Sequence, residues 1–85
     1  MAAALQARCA ALLLELDGDA GLRAAMVMAT QVGKQVHARG LSKRREFRPL
    51  VEWIVDVLEA SMQARRGDEG QRGRLREALE RVVNA

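Results

Sequence analysis

Residues 49–64 read PLVEWIVDVLEASMQA, and the period of this stretch decides the fold class. Proline suits the first turn of a helix, where its missing N–H leaves no bond unmade. Behind it, Leu50, Val51, Trp53, Ile54, Val55, Val57, Leu58 and Met62 cover most of a helical circumference. Only Glu52, Asp56, Glu59 and Gln63 stay polar, in one stripe at helical spacing. A helix apolar over most of its surface must be surrounded. This segment is therefore the expected centre of the domain. Three partner helices of similar size barely cover it, so the sequence predicts an oligomer or an obligate partner.

The neighbouring segments read as helices too. Ala, Leu, Arg, Glu, Gln and Met are abundant and favour helix, whereas one Phe, one Trp and no Tyr give little to build strands. Leu5, Cys9, Leu12 and Leu16 line one face of a helix over 3–16, with Leu13 beside them. Asp17-Gly18-Asp19 is a turn in which Gly18 takes a left-handed cap and Asp19 caps the next helix. A second helix over 20–38 buries Leu22, Ala25, Met26, Ala29, Val32, Gly33 and Val36, and leaves Met28 off the stripe and exposed. Gly33 on that stripe points to the close approach of another helix. Gly40 ends the segment, and Pro49 disfavours helical backbone at Arg48.

A fourth helix over 69–83 places Leu75, Ala78, Leu79 and Val82 inward. Asp68 with Gln71 resembles a capping box. Gly70 and Gly73 weaken the first turns, so fraying to about Arg74 is expected, and Arg76–Glu80 and Glu77–Arg81 are spaced as surface ion pairs. Short turns between four helices imply a single-domain, all-α antiparallel bundle over 1–85, with helices at 3–16, 20–38, 49–64 and 69–83. The expected core is Leu5, Leu12, Leu16, Leu22, Met26, Ala29, Val36, Leu50, Ile54, Val57, Leu58, Leu79 and Val82.

Charge is concentrated in one place. Residues 34–48 hold six basic side chains and one acid, Glu46, against a net charge of +3 for all 85 residues. Arg39, Lys43, Arg44, Arg45 and Arg48 form a cluster able to neutralise phosphates. The second helix, the connection and the third helix make a loose helix-turn-helix. The third helix, however, exposes Glu52, Asp56 and Glu59, which phosphates repel, so it would not read bases. The plainer reading is a solvated loop paired with those acids, Arg48 with Glu52 for example.

Other constellations carry less. Three carboxylates on one face, without a Glu-x-x-His pair, do not make a di-metal site, and no metal or other cofactor is expected. His37 lacks an orienting acid and a nucleophile at readable spacing. Cys9 is alone on an apolar stripe and reads as a small buried hydrophobe. No phosphate loop, zinc spacing or nucleophile motif occurs, so an enzyme is not expected. No stretch reaches about 18 apolar residues, so no membrane span is expected, and the lone cysteine suits the cytoplasm. The function read from the sequence is a small non-enzymatic protein-interaction module, an adaptor, regulator or assembly subunit. It buries helix faces and self-associates, with a homodimer as the simplest case. Trp53, Leu50, Met28, Leu5 and Leu12 are its expected contacts. The alternative is a nucleic-acid-binding regulator that uses the basic loop at 39–48.

Overall fold

The computed structural model of the chain describes residues 2–85. Four helices follow one another: α1 (Ala2–Leu13), α2 (Asp19–Ala38), α3 (Arg48–Arg65) and α4 (Glu69–Val83), with a 3₁₀ turn at Arg45–Phe47 leading into α3. The all-α bundle expected from the sequence is the fold found. α3 packs along α2 and α4, α4 also packs along α1, and α1 touches α2 lightly. The neighbours run antiparallel. Trp53 meets Ala78 and Asp56 meets Arg74, so α3 and α4 read in opposite directions. Gln6 near the start of α1 reaches Val82 near the end of α4. The bundle is thus two layers, α2 with α3 over α1 with α4.

One apolar cluster runs through all four helices and includes Leu16, Leu22, Met28, Val57, Leu75 and Leu79, each nearly or fully enclosed. Enclosing each of the larger side chains contributes roughly 1.5–3 kcal/mol. The inner face of α3 tapers from Trp53, Ile54 and Val57 to Ala60, Ser61 and Ala64, all buried. Small residues bring its C-terminal half close to its neighbours. Ser61 keeps its hydroxyl satisfied by donating to the Val57 carbonyl at 2.6 Å. Of the expected core, Leu5, Leu50, Leu58 and Val82 are half-buried against the cluster.

Several expectations are corrected. α1 stops at Leu13, because Leu14 and Glu15 donate to Ala11 and Leu12, three residues back. That tightening turns Leu16 into the core and leaves Leu14 86% exposed. Arg76 and Arg72 from α4 then donate to the carbonyls of Leu13 and Leu16. Gly18 is extended (φ −108°) and caps α2 from outside; Asp19 is the first helical residue and meets Arg65 at 3.0 Å instead. The glycine this corner needs is Gly21, buried in the first turn of α2, where a Cβ would collide with the Glu15 carbonyl.

Met26 and Met28 exchange the places expected of them. Met28 is 1% exposed and Met26 half-buried, because the buried arc of α2 spreads away from α3, taking in Gly21 as well. Gly33 does face α3, but a Cβ there would stand at an ordinary 3.6 Å from Ile54. Arg48 is helical (φ −57°, ψ −44°) and opens α3, since the 3₁₀ turn runs straight into it and outweighs the bias from Pro49. α4 is helical from Glu69 despite its glycines, with the Asp68 side chain accepting the Gln71 N–H at 3.2 Å. Arg76 and Arg81 do not pair with Glu80 and Glu77: Arg76 approaches Asp17 and Arg81 approaches Asp56, while Arg72 pairs along α4 with Glu69 at 3.1 Å.

Candidate functional site

Trp53 belongs to the core. Its indole is 8% exposed and donates through Nε1 to the Ala78 carbonyl at 2.9 Å, inside the α3–α4 contact. Leu12 and Met28 are enclosed too, so neither presents a contact surface. The apolar face of α1 is used up by packing on α4. Leu5 and Leu50 remain half-buried and meet an edge of Trp53 in an open cleft of about 360 Å³, beside Pro49 and Val82. Gln6 closes one side by donating to the carbonyls of Val82 and Ala85 at the C-terminal end of α4. The structure therefore brings Leu5, Leu50 and Trp53 together and separates Leu12 and Met28 from them.

The basic residues gather at the α2–α3 corner. Arg39 follows α2, Lys43 and Arg44 lie in the connection, Arg45 starts the 3₁₀ turn and Arg48 opens α3; all five are exposed. Gly40 adopts φ +67°, and the Leu41 N–H donates to Val36 at 3.0 Å, so the chain reverses in a fixed path. Leu41 and Phe47 tuck in half-buried. Arg48 does not pair with Glu52. Among the described residues, none of the five basic side chains has an acid within 4.0 Å. Of the acidic stripe, Asp56 is answered from α4 instead, with Arg74 at 3.2 Å and Arg81 at 4.0 Å. α2 and α3 lie alongside one another from Asp19–Arg65 to Gly33–Ile54. That is an antiparallel hairpin, not the crossed pair of a helix-turn-helix.

The third feature is the outer face of the α2–α3 layer. Val27, Val55 and Met62 are 53%, 46% and 40% exposed, and with Leu14 they are the large apolar side chains left most open among the described residues. At roughly 100° per residue, Val51, Val55, Leu58 and Met62 fall on one stripe of α3. Val51 and Leu58 in that stripe are half-buried. Val27 sits on the outward face of α2, between Arg23 and Lys34, and the seam between the helices is floored by Met26, Thr30 and Gly33. The spacing of 51, 55, 58 and 62 was visible in the sequence. It was hidden by the breadth of the apolar surface on α3, which gave no sign of which part would stay open.

The remaining candidates are quiet. Cys9 is fully buried and burial pushes its thiol up from its ordinary range, against a smaller opposing pull from Arg8. His37 is exposed in the last turn of α2. Among the described residues, no three His, Cys, Asp or Glu side chains converge as metal ligands, and no helix is long and apolar enough to cross a membrane. Comparison of the chain with protein-family models, curated proteins and solved structures finds no match.

Proposed function

We propose that this chain is a small protein-interaction module that acts by binding rather than catalysis and associates with itself through the outer face of the α2–α3 layer. One observation carries the reading: Val27, Val55 and Met62, three of the four large apolar side chains left open among the described residues, share that face. Exposed apolar area grouped on one face is the usual mark of an interface, whereas scattered residues need no explanation. A chain of 85 residues also has a thin margin of its own and gains stability when such a face is covered. A lone, buried Cys9 suits work in the cytoplasm.

The test is solution mass by light scattering on the wild type and on Val55→Glu. The wild type is expected as a dimer, and Val55→Glu as a monomer with unchanged helicity. A wild type that stays monomeric at the highest attainable concentration refutes self-association.

A second reading is supported by the unpaired basic corner. Five exposed, uncompensated cations on a fixed turn suit a phosphate backbone held without base reading. Retention on a random-sequence duplex that falls steeply with salt supports it. Retention unchanged after Lys43, Arg44, Arg45 and Arg48 are all replaced by Gln refutes it.

A further inference from the structure

The apolar seam is bordered by opposite charges. On its α2 side lie Arg23 and Lys34, and on its α3 side lie Glu52 and Glu59, all exposed. Lys34 and Glu52 belong to the same level of the hairpin, because Gly33 faces Ile54 and Arg65 reaches Asp19 in the antiparallel pair. They stand on opposite flanks of the seam and do not pair within the chain. A surface with an apolar centre, a basic flank and an acidic flank is complementary to itself under one kind of rotation. A two-fold axis along the seam lays α3 of one copy over α2 of the other and exchanges the flanks. An axis across the helices would set acid on acid and base on base.

We infer that the partner of this face is a second copy of the chain, related by a two-fold axis running along the α2–α3 seam, with Glu52 of each copy against Lys34 of the other. This rests on the self-association proposed above and adds its geometry. In such an isologous interface every contact occurs twice. Apolar burial of Val55, Leu58 and Met62 supplies the affinity, and the flanking charges select the orientation.

The experiment uses the full chain in two single variants, Lys34→Glu and Glu52→Lys, weighed by light scattering apart and mixed. Each variant alone places like charges together on both sides of the axis and raises the dimer Kd by about tenfold, because an exposed pair is small but counted twice. The equimolar mixture restores the dimer. One chain then carries carboxylates at both positions and the other carries ammonium groups at both, so each of the two contacts joins opposite charges. Helicity by circular dichroism stays at the wild-type level throughout. Dimers of wild-type affinity from either variant alone, or a mixture no tighter than its components, overturn the orientation. If Val55→Glu is monomeric in that case, self-association through this face still stands. If Val55→Glu remains dimeric, both the face and the axis are wrong.

Discussion

Replacing Trp53 tests how the core is joined. The indole is almost wholly enclosed between α3 and α4, and its N–H is spent on the Ala78 carbonyl. Trp53→Ala removes most of the largest side chain in the molecule and leaves a void. Changes of this kind destabilise by about 3–5 kcal/mol. At roughly 0.05–0.15 kcal/mol per residue, a chain of 85 residues has about 4–13 kcal/mol in total. Subtracting the penalty leaves from nothing to about 10 kcal/mol, so the variant melts well below the wild type and at the low end does not fold. Trp53→Phe keeps much of the volume and loses the hydrogen bond. Ala78 lies inside α4, where the helix supplies another N–H to its carbonyl, so the loss is about 1 kcal/mol. Urea titration followed by far-ultraviolet circular dichroism, at one chain concentration, gives both values. The slope should match the wild type, showing that the midpoint reports stability and not a changed unfolded state. A penalty below about 1.5 kcal/mol for Trp53→Ala, with lost self-association, would refute the core assignment and return Trp53 to the interface.

Two glycines of α2 should respond in opposite senses to alanine. Gly21→Ala drives a methyl into the Glu15 carbonyl and destabilises by about 1–3 kcal/mol in urea titration, although alanine is the better helix former. Gly33→Ala meets only an ordinary contact with Ile54 and stabilises by up to about 1 kcal/mol; a loss there would mean the seam is tighter than described. Burial holds the Cys9 thiol neutral above its ordinary 9.0, so the folded state binds that proton more firmly than the unfolded one. Its contribution is intact below that pH and is lost as pH rises above it, and the urea midpoint of Cys9→Ala should lack that part of the alkaline decline.

What the sequence made legible was local. Pro49, Gly40 and Asp68 mark helix ends by their own backbone chemistry, and each sits within a residue or two of the end it announced. The buried face of α4 at Leu75, Ala78 and Leu79 followed from period alone; on α3 period placed Ile54 and Val57 but not Trp53, Ala60, Ser61 and Ala64. What depended on neighbours was not legible. Whether Met26 or Met28 turns inward is set by how far α2 leans away from α3, which its own period does not specify. Arg76 read as half of a surface pair with Glu80, yet it answers the Leu13 carbonyl at the end of α1. Gly21 lies one turn from the turn signal, and its need arises only where the Glu15 backbone crosses α2. The candidate face has the same origin, since an apolar helix shows its free side only once its partners are placed.

The orientation of the dimer has a consequence at its end. With the two-fold axis along the seam, both α2–α3 corners come to the same end of the assembly, whereas an axis across the helices sends them to opposite ends. Among the described residues, Lys43, Arg44, Arg45 and Arg48 have no acid within 4.0 Å to mute them. Two such clusters on adjoining helix pairs stand about 20 Å apart, given helix spacings of 8–10 Å. In water at about 0.01 M salt, four charges facing four across that gap weaken a dimer by roughly tenfold; at about 0.1 M, screening leaves about twofold. Changing all four residues to Gln should therefore tighten the dimer at low salt and have little effect at higher salt, as read by light scattering over a dilution series. A short duplex added to the wild type should tighten it in the same way, since one phosphate backbone would bridge both corners. If the neutral variant dimerises no better than the wild type at low salt, the corners are not neighbours. The axis then runs across the helices, and the pairing of Glu52 with Lys34 falls with it.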